Sequence, residues 1–346
     1  MNISTKNISP EKNISWQLYT LSNDNQMEVS FLNYGGAITE IRTPDRNGKV
    51  ENVVLGYKDY RNYITNPTFF GAIIGRVAGR IKDARFKADH QSFSLTANDG
   101  KNHLHGGATA FHQSVWEATP FETETSVGVK LSHKSPDGDD GYPGNIHVDV
   151  IYELNNQNEF TITYDATTDS TTPLALTNHT YFNLSGDLKD TIENHNVTIG
   201  SSQFTELDEY LIPTGKKLNV KNTPFDFTSG RKIKHGIYST HLQNKLVGNG
   251  YDHYFLFGNP QSGIAVTEEE SGRTLTVHTD EPGMVMYTSN NLEAGLELNE
   301  RISIRYLGLC LETQRHPASL IYDDFPSILL HPEERYHSKT RFKFGN

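Results

Sequence analysis

The sequence predicts an all-β protein, a large antiparallel β-sandwich with few short helices. Three observations carry that prediction. Apolar residues alternate with period two in several stretches, which places them on one face of a sheet. The chain holds 28 Gly and 14 Pro in 346 residues, so turns are frequent. No long stretch repeats apolar residues at helical spacing between caps.

Taken in order, Val127, Val129 and Leu131 alternate with smaller or polar residues. Ile146, Val148, Val150, Tyr152 and Leu154 share one face of a second strand, and Phe160, Ile162 and Tyr164 of a third. Leu275 and Val277 repeat the pattern near the C-terminus. Turn pairs punctuate the strands: Asn47-Gly48, Asp99-Gly100, Asp137-Gly138, Asn155-Asn156 and Ser271-Gly272. Residues 137–145, DGDDGYPGN, form a loop between two strands. Its ligand spacing breaks the calcium-loop pattern, so it reads as an ordinary turn. Helical turns are expected only at 58–64 and 233–242. With no linker and no repeat, residues 1–346 read as one domain with a short polar N-terminal segment over about residues 1–15. We expect roughly twenty or more strands in packed antiparallel sheets.

The totals narrow the function. Lys plus Arg number 31 against 42 Asp plus Glu, a net charge of −11, and no basic run occurs. Nucleic acid and anionic membranes are poor partners for such a chain, whereas a neutral small molecule suits it. Cys310 stands alone, which excludes an intrachain disulfide and a cysteine zinc site. The first 15 residues lack the apolar core of a secretory signal, and no apolar stretch reaches bilayer length. A cytoplasmic location is the expectation, and the N-x-S sequons at Asn2, Asn7 and Asn13 then carry no weight.

Chemistry must come from polar groups set among core-like residues, and five segments qualify. In GAIIGRVAGRIKDARF, Arg80 follows Ala78 and Gly79 and needs an acceptor, either a structural ion pair or a ligand. In NHLHGG, His103 and His105 flank Leu104, so alternation sets both imidazoles on one strand face. They read as metal ligands, as ligand contacts or as ordinary strand-end residues. In LTNHTYFNLSG, alternation sets His179 and Tyr181 on one face and Phe182 on the other. His179 is there a satisfied core residue or a tuned acid/base. In GNGYDHYFLF, Asp252 precedes an aromatic run and calls for hydroxyl donors. In YLGLCLETQRHP, Glu312 ends an apolar run. It is either a desolvated base or a strand-end residue facing water.

The ordered series NYGGAITEI, GRVAGRI, HLHGG, GYPG, NHTYFNL, GYDHYF, DEPGMVMYTSN and LETQRHP resembles the aldose 1-epimerase (galactose mutarotase) family. The resemblance runs from about Asn33 to about Pro332. It implies a galactose mutarotase-like β-sandwich with a shallow sugar cleft. It implies Glu312 as general base and His179 as general acid. Arg80 and His105 are expected to hold sugar oxygens and Asp252 to accept from sugar hydroxyls, and Tyr181, where it faces the cleft, to pack against or hydrogen-bond to the sugar. Two departures stand out: Gly79 where many relatives carry Asn, and Glu281 where many carry Gln. Both residues are expected at the sugar.

The implied reaction opens a hemiacetal ring and recloses it on the other face. It needs a base for the C1 hydroxyl and an acid for the ring oxygen, with no metal and no redox cofactor. The expected start is Glu312 ionised and His179 protonated. The expected partner is a free monosaccharide such as galactose or glucose, with monomer and homodimer both open. Three rivals are a metal enzyme built on His103, His105 and a carboxylate, a glycosidase using Glu312 and Asp252, and a non-catalytic sugar-binding protein.

Overall fold

In the computed structural model, which describes residues 1–258 and 263–346, the chain folds as packed antiparallel sheets. The three largest have nine, six and five strands. Helical structure among the described residues is confined to short pieces, with α-helices only at Lys234–Ile237 and Leu242–Leu246. The turn expected at 58–64 is a 3-10 helix at Tyr60–Tyr63. Among the described residues no helix is long and apolar enough to cross a membrane.

The alternating runs become the centre of the nine-stranded sheet. Strands Ser126–Ser135, Ile146–Asn155 and Glu159–Thr168 pair in sequence, and Tyr336–Gly345 follows them. Val148, Val150, Tyr152 and Leu154 are all 0% exposed, while residues between them reach the other face. They join one apolar core with Val129, Leu131, Ile162, Val277 and the inward residues of the six-stranded sheet. Each such side chain contributes about 1.5–3 kcal/mol relative to exposure. The sheets are therefore held by the period-two pattern itself.

The turn glycines 48, 100, 138 and 272 all adopt positive φ, the conformation that favours glycine. In the loop at 137–145 the carboxylates serve the backbone. Asp137 accepts from the Gly144 N–H at 2.6 Å, and Asp140 accepts from Ala108 and Thr109. The N-terminal segment differs from its plain polar reading. Asn2–Ile8 is a strand paired along its whole length with Trp16–Ser22. As an edge strand it buries only Ile8, so it carries no alternation to read.

Candidate active site

The six-stranded sheet floors a cleft. Three of its strands lie side by side: Asp252–Leu256, Gly283–Tyr287 and Leu309–Thr313. Register aligns Tyr254, Val285 and Glu312 in one row, and Asp252, Tyr287 and Cys310 in the next. Strand alternation then divides the chemistry. Phe255, Met284, Met286, Leu309 and Leu311 enter the core, whereas Asp252, Tyr254, Val285, Tyr287 and Glu312 face the cleft. The cleft encloses about 260 Å³, the scale of one monosaccharide.

His179 closes one wall. It lies between the strands Thr177–Asn178 and Tyr181–Phe182, and its backbone is clamped by Ala72 and Gly71. Tyr181 stacks on its ring at 5.0 Å and Phe69 at 5.8 Å, while His105 meets it edge-on at 5.4 Å. His179 Nε2 stands 3.6 Å from Glu312 Oε1, and Nδ1 stands 3.6 Å from the Cys310 thiol. The expected division around this segment holds: Phe182 turns away to pack on Phe342 and Phe344.

Gly79, Arg80 and His105 line the cleft next to it, with the His105 ring against His179. Gly79 has φ +84°, and its N–H donates to His105 Nδ1 at 3.2 Å. In return the His105 N–H donates to the Gly79 carbonyl at 3.2 Å. His105 takes φ +51°, and a Cβ on the following Gly106 would sit 1.8 Å from the Gly75 carbonyl oxygen. Only glycine fits there. Arg80 donates through Nε to Asp99 at 2.7 Å and keeps 22% of its side chain exposed at the cleft.

The electrostatics favour neutral forms. Burial pulls the His179 pKa down to about 4. Burial, then the Asp252 charge, push Glu312 well above the usual carboxylate range, with Arg80 pulling the other way. These directions oppose the expected start of ionised Glu312 and protonated His179. Burial thus disfavours the charge on both members of the pair, and a proton shared between them is the form these two shifts favour. Burial, then His179 and Arg80, hold His105 neutral. Because its Nδ1 accepts the Gly79 N–H, its remaining proton sits on Nε2, which is a donor.

Of the residues expected from sequence, Glu312, His179, Arg80, His105, Asp252, Gly79 and Tyr181 all line this cleft. Glu281 does not. Its carboxyl is buried and accepts from the Tyr336 hydroxyl at 3.2 Å, beside a neighbouring depression lined by Arg315 and His337. Position 281 falls two residues before the strand Gly283–Tyr287, so the cleft-facing members of this segment are Val285 and Tyr287. His103 and His105 do not share a face either. The strand ends at Leu104, and His103 is fully buried between the Thr96 carbonyl at 2.7 Å and the Tyr142 hydroxyl at 2.7 Å. Sequence reasoning missed Phe69, Tyr254, Val285, Tyr287, Gln314 and His316. Counting by two from Asp252 reaches Tyr254, and from Glu312 reaches Gln314 and His316. Nothing in the sequence points to Phe69.

Potential ligand atoms of His105, His179 and Glu312 lie within 4.8 Å of one another. The donor set does not suit a metal. Ligation through His105 Nε2 would shift its proton to Nδ1, against the Gly79 N–H that now donates there. The trio built on His103 is not assembled at all.

Comparison with known proteins agrees with this arrangement. The family model described as aldose 1-epimerase matches residues 17–343. Galactose mutarotase of Bos taurus is 39% identical over 324 residues, covering 92% of each chain. Aldose 1-epimerase of Escherichia coli (strain K12) is 32% identical over 335 residues, covering 95% of each. The crystal structure of galactose 1-epimerase from Lactobacillus acidophilus NCFM superposes with a TM-score of 0.88 at 29% identity, covering 99% of this chain and 98% of that one. With a family match along nearly its whole length and relatives at these identities, the chain belongs to the aldose 1-epimerase family.

Proposed function

We propose that this chain interconverts the α and β anomers of free aldohexoses, galactose and glucose among them, with Glu312 as base and His179 as acid. One observation carries the reading. The acid and the base stand 3.6 Å apart on one side of a cleft of monosaccharide size. The two oxygens they must serve, the C1 hydroxyl and the ring oxygen, are bonded to the same carbon. Neighbouring groups match neighbouring oxygens.

In the productive complex Glu312 is ionised and His179 carries the shared proton. Arg80 favours the carboxylate, and bound sugar hydroxyls donate further hydrogen bonds to it. Glu312 takes the C1 hydroxyl proton while His179 delivers its own to the ring oxygen. The C1–O5 bond breaks and an open-chain aldehyde forms. Glu312 is then protonated and His179 neutral, so each group carries the form that burial favours. Rotation about C1–C2 presents the other face of the aldehyde. Reclosure runs the transfers backward, so no proton is gained or lost. The Nε2–H of His105 and the guanidinium of Arg80 donate to sugar oxygens, and Asp252 accepts from a hydroxyl.

A glycosidase needs its two groups on opposite sides of the scissile bond. The glycosidase alternative built on Glu312 and Asp252 would release reducing sugar from a glycoside, whereas a mutarotase would not. Polarimetry of fresh α-galactose and α-glucose tests the proposal. Wild-type protein accelerates relaxation, and Glu312→Gln loses about 10³-fold while keeping a native circular-dichroism spectrum. Wild-type rates in a folded Glu312→Gln protein would rule out the assigned base.

A further inference from the structure

The cleft holds a second fixed imidazole that the acid/base pair does not use. His316 lies beyond the strand Leu309–Thr313 in extended backbone, with φ −105° and ψ 132°. The Gln314 N–H still donates to the Gly283 carbonyl at 3.1 Å, so strand alternation continues past Thr313. Glu312, Gln314 and His316 therefore succeed one another along the same wall, and all three line the cleft. His316 is 7% exposed. Its ring packs across Tyr254 at 4.6 Å and 63°, and beside Phe325 at 5.8 Å.

One ring nitrogen is committed. Nδ1 accepts the Ala318 N–H at 3.0 Å and caps the 3-10 helix Pro317–Leu320. Burial holds the ring neutral, with a pKa lowered to about 3. A neutral imidazole whose Nδ1 accepts must carry its proton on Nε2. That nitrogen has no partner among the described residues. His316 thus repeats the device of His105: a backbone N–H fixes the tautomer, and the free N–H is offered to the cleft.

Direction identifies what it meets. Glu312 is flanked on one side by the Cys310 row, against which His179 sits, and on the other by Gln314 and His316. A pyranose with its ring oxygen at His179 and its C1 hydroxyl at Glu312 extends next toward Gln314 and His316. The next hydroxyl in that direction is on C2. We propose that His316 is a specificity-determining residue whose Nε2–H donates to the C2 hydroxyl of the sugar. This rests on the mutarotase reading for the orientation of the ring.

The test uses His316→Ser, because a serine oxygen can still cap the Ala318 N–H while offering nothing at the Nε2 position. Glucose, galactose and their 2-deoxy analogues are the probes. KM for glucose and galactose rises about tenfold, the scale of one hydrogen bond to a neutral group. Their kcat stays within about twofold. The 2-deoxy sugars show the same KM in both proteins. Calorimetric Kd values for the same four sugars follow the same pattern whether or not the sugars turn over. Loss of turnover in the wild type thus breaks the mutarotase reading separately. Equal losses on the 2-deoxy sugars, or no loss on any, overturn the role of His316.

Discussion

Two buried glutamates, Glu51 and Glu312, show how surroundings decide what one side chain does. Glu51 is fully buried on the strand Val50–Asn52, away from the cleft. It meets the fully buried guanidinium of Arg273 at 3.0 Å, the Lys189 ammonium at 2.6 Å, and Lys49. Burial opposes its charge, yet hydrogen bonds from Lys189, Lys49 and Arg273 together win and lower its pKa to about 2. Glu312 is 3% exposed and has no such cage. Its neighbours are neutral His179, the Asp252 carboxylate and an arginine already paired with Asp99. One carboxylate stays ionised down to a pH of about 2 and is structural. The other, with burial opposing its charge and no cation of its own, suits the proton-transfer role proposed for it.

The sharpest way to break this contrast is to neutralise each in turn. Glu312→Gln is expected to lose about 10³-fold in mutarotation rate. Its thermal midpoint at pH 8 should stay level or rise, because an uncompensated buried carboxylate is removed. Glu51→Gln should do the reverse. It leaves Arg273 buried without its carboxylate, which costs about 3 kcal/mol in denaturant unfolding, while kcat/KM is retained. A Glu312→Gln protein that unfolds easily, or a Glu51→Gln protein that stays stable but inactive, would reverse the two roles.

Acidity sharpens the same comparison, with opposite signs. The Glu51 pKa is lowered, so its contribution to stability is complete above the unfolded value near 4.5 and is lost as pH falls toward about 2. The Glu312 pKa is raised, so its contribution is complete at low pH and is lost as pH rises through the folded value. The rate profile follows from the shared proton. In the proposed mechanism activity requires one proton on the Glu312–His179 pair. It falls on the acid side where a second proton arrives, with His179 at about 4. On the alkaline side it falls where the last proton leaves, set by the raised value of Glu312. A kcat/KM profile with its acid limb near 4 agrees with this. An acid limb at the ordinary imidazole value near 6.5 contradicts it.

The same contrast explains what the sequence disclosed. The core strands were legible because burial on one face imposes period two, as in Ile146 to Leu154. The edge strand Asn2–Ile8 was not, since it buries a single side chain. At the cleft, Glu312, His179 and Asp252 stood out as polar groups within apolar runs. Glu281 was assigned to the sugar through its segment, yet it faces Tyr336, and cross-strand register was needed to identify Val285 as the cleft-facing residue. His103 and His105 looked equivalent, and only the left-handed φ of His105 separates them. Glu51 and Arg273 gave no signal, because their ion pair joins positions 222 residues apart.

Tyr181 supplies the smallest and finest test of the contrast. Glu51 is held by charge, whereas His179, the proposed acid, is held by packing. The Tyr181 ring stacks on His179 at 5.0 Å with 26° between planes, and its hydroxyl donates to the Thr68 carbonyl at 3.0 Å. Tyr181→Phe removes that hydrogen bond, about 1 kcal/mol, but keeps the ring. If stacking orients His179, kcat for galactose falls no more than about threefold in Tyr181→Phe, while Tyr181→Leu, which removes the ring, falls about tenfold or more. Polarimetric kcat values for the two variants separate the contributions. A Tyr181→Phe enzyme as impaired as Tyr181→Leu would assign the positioning to the hydroxyl and its Thr68 contact, and His179 would then depend on a polar anchor as Glu51 does.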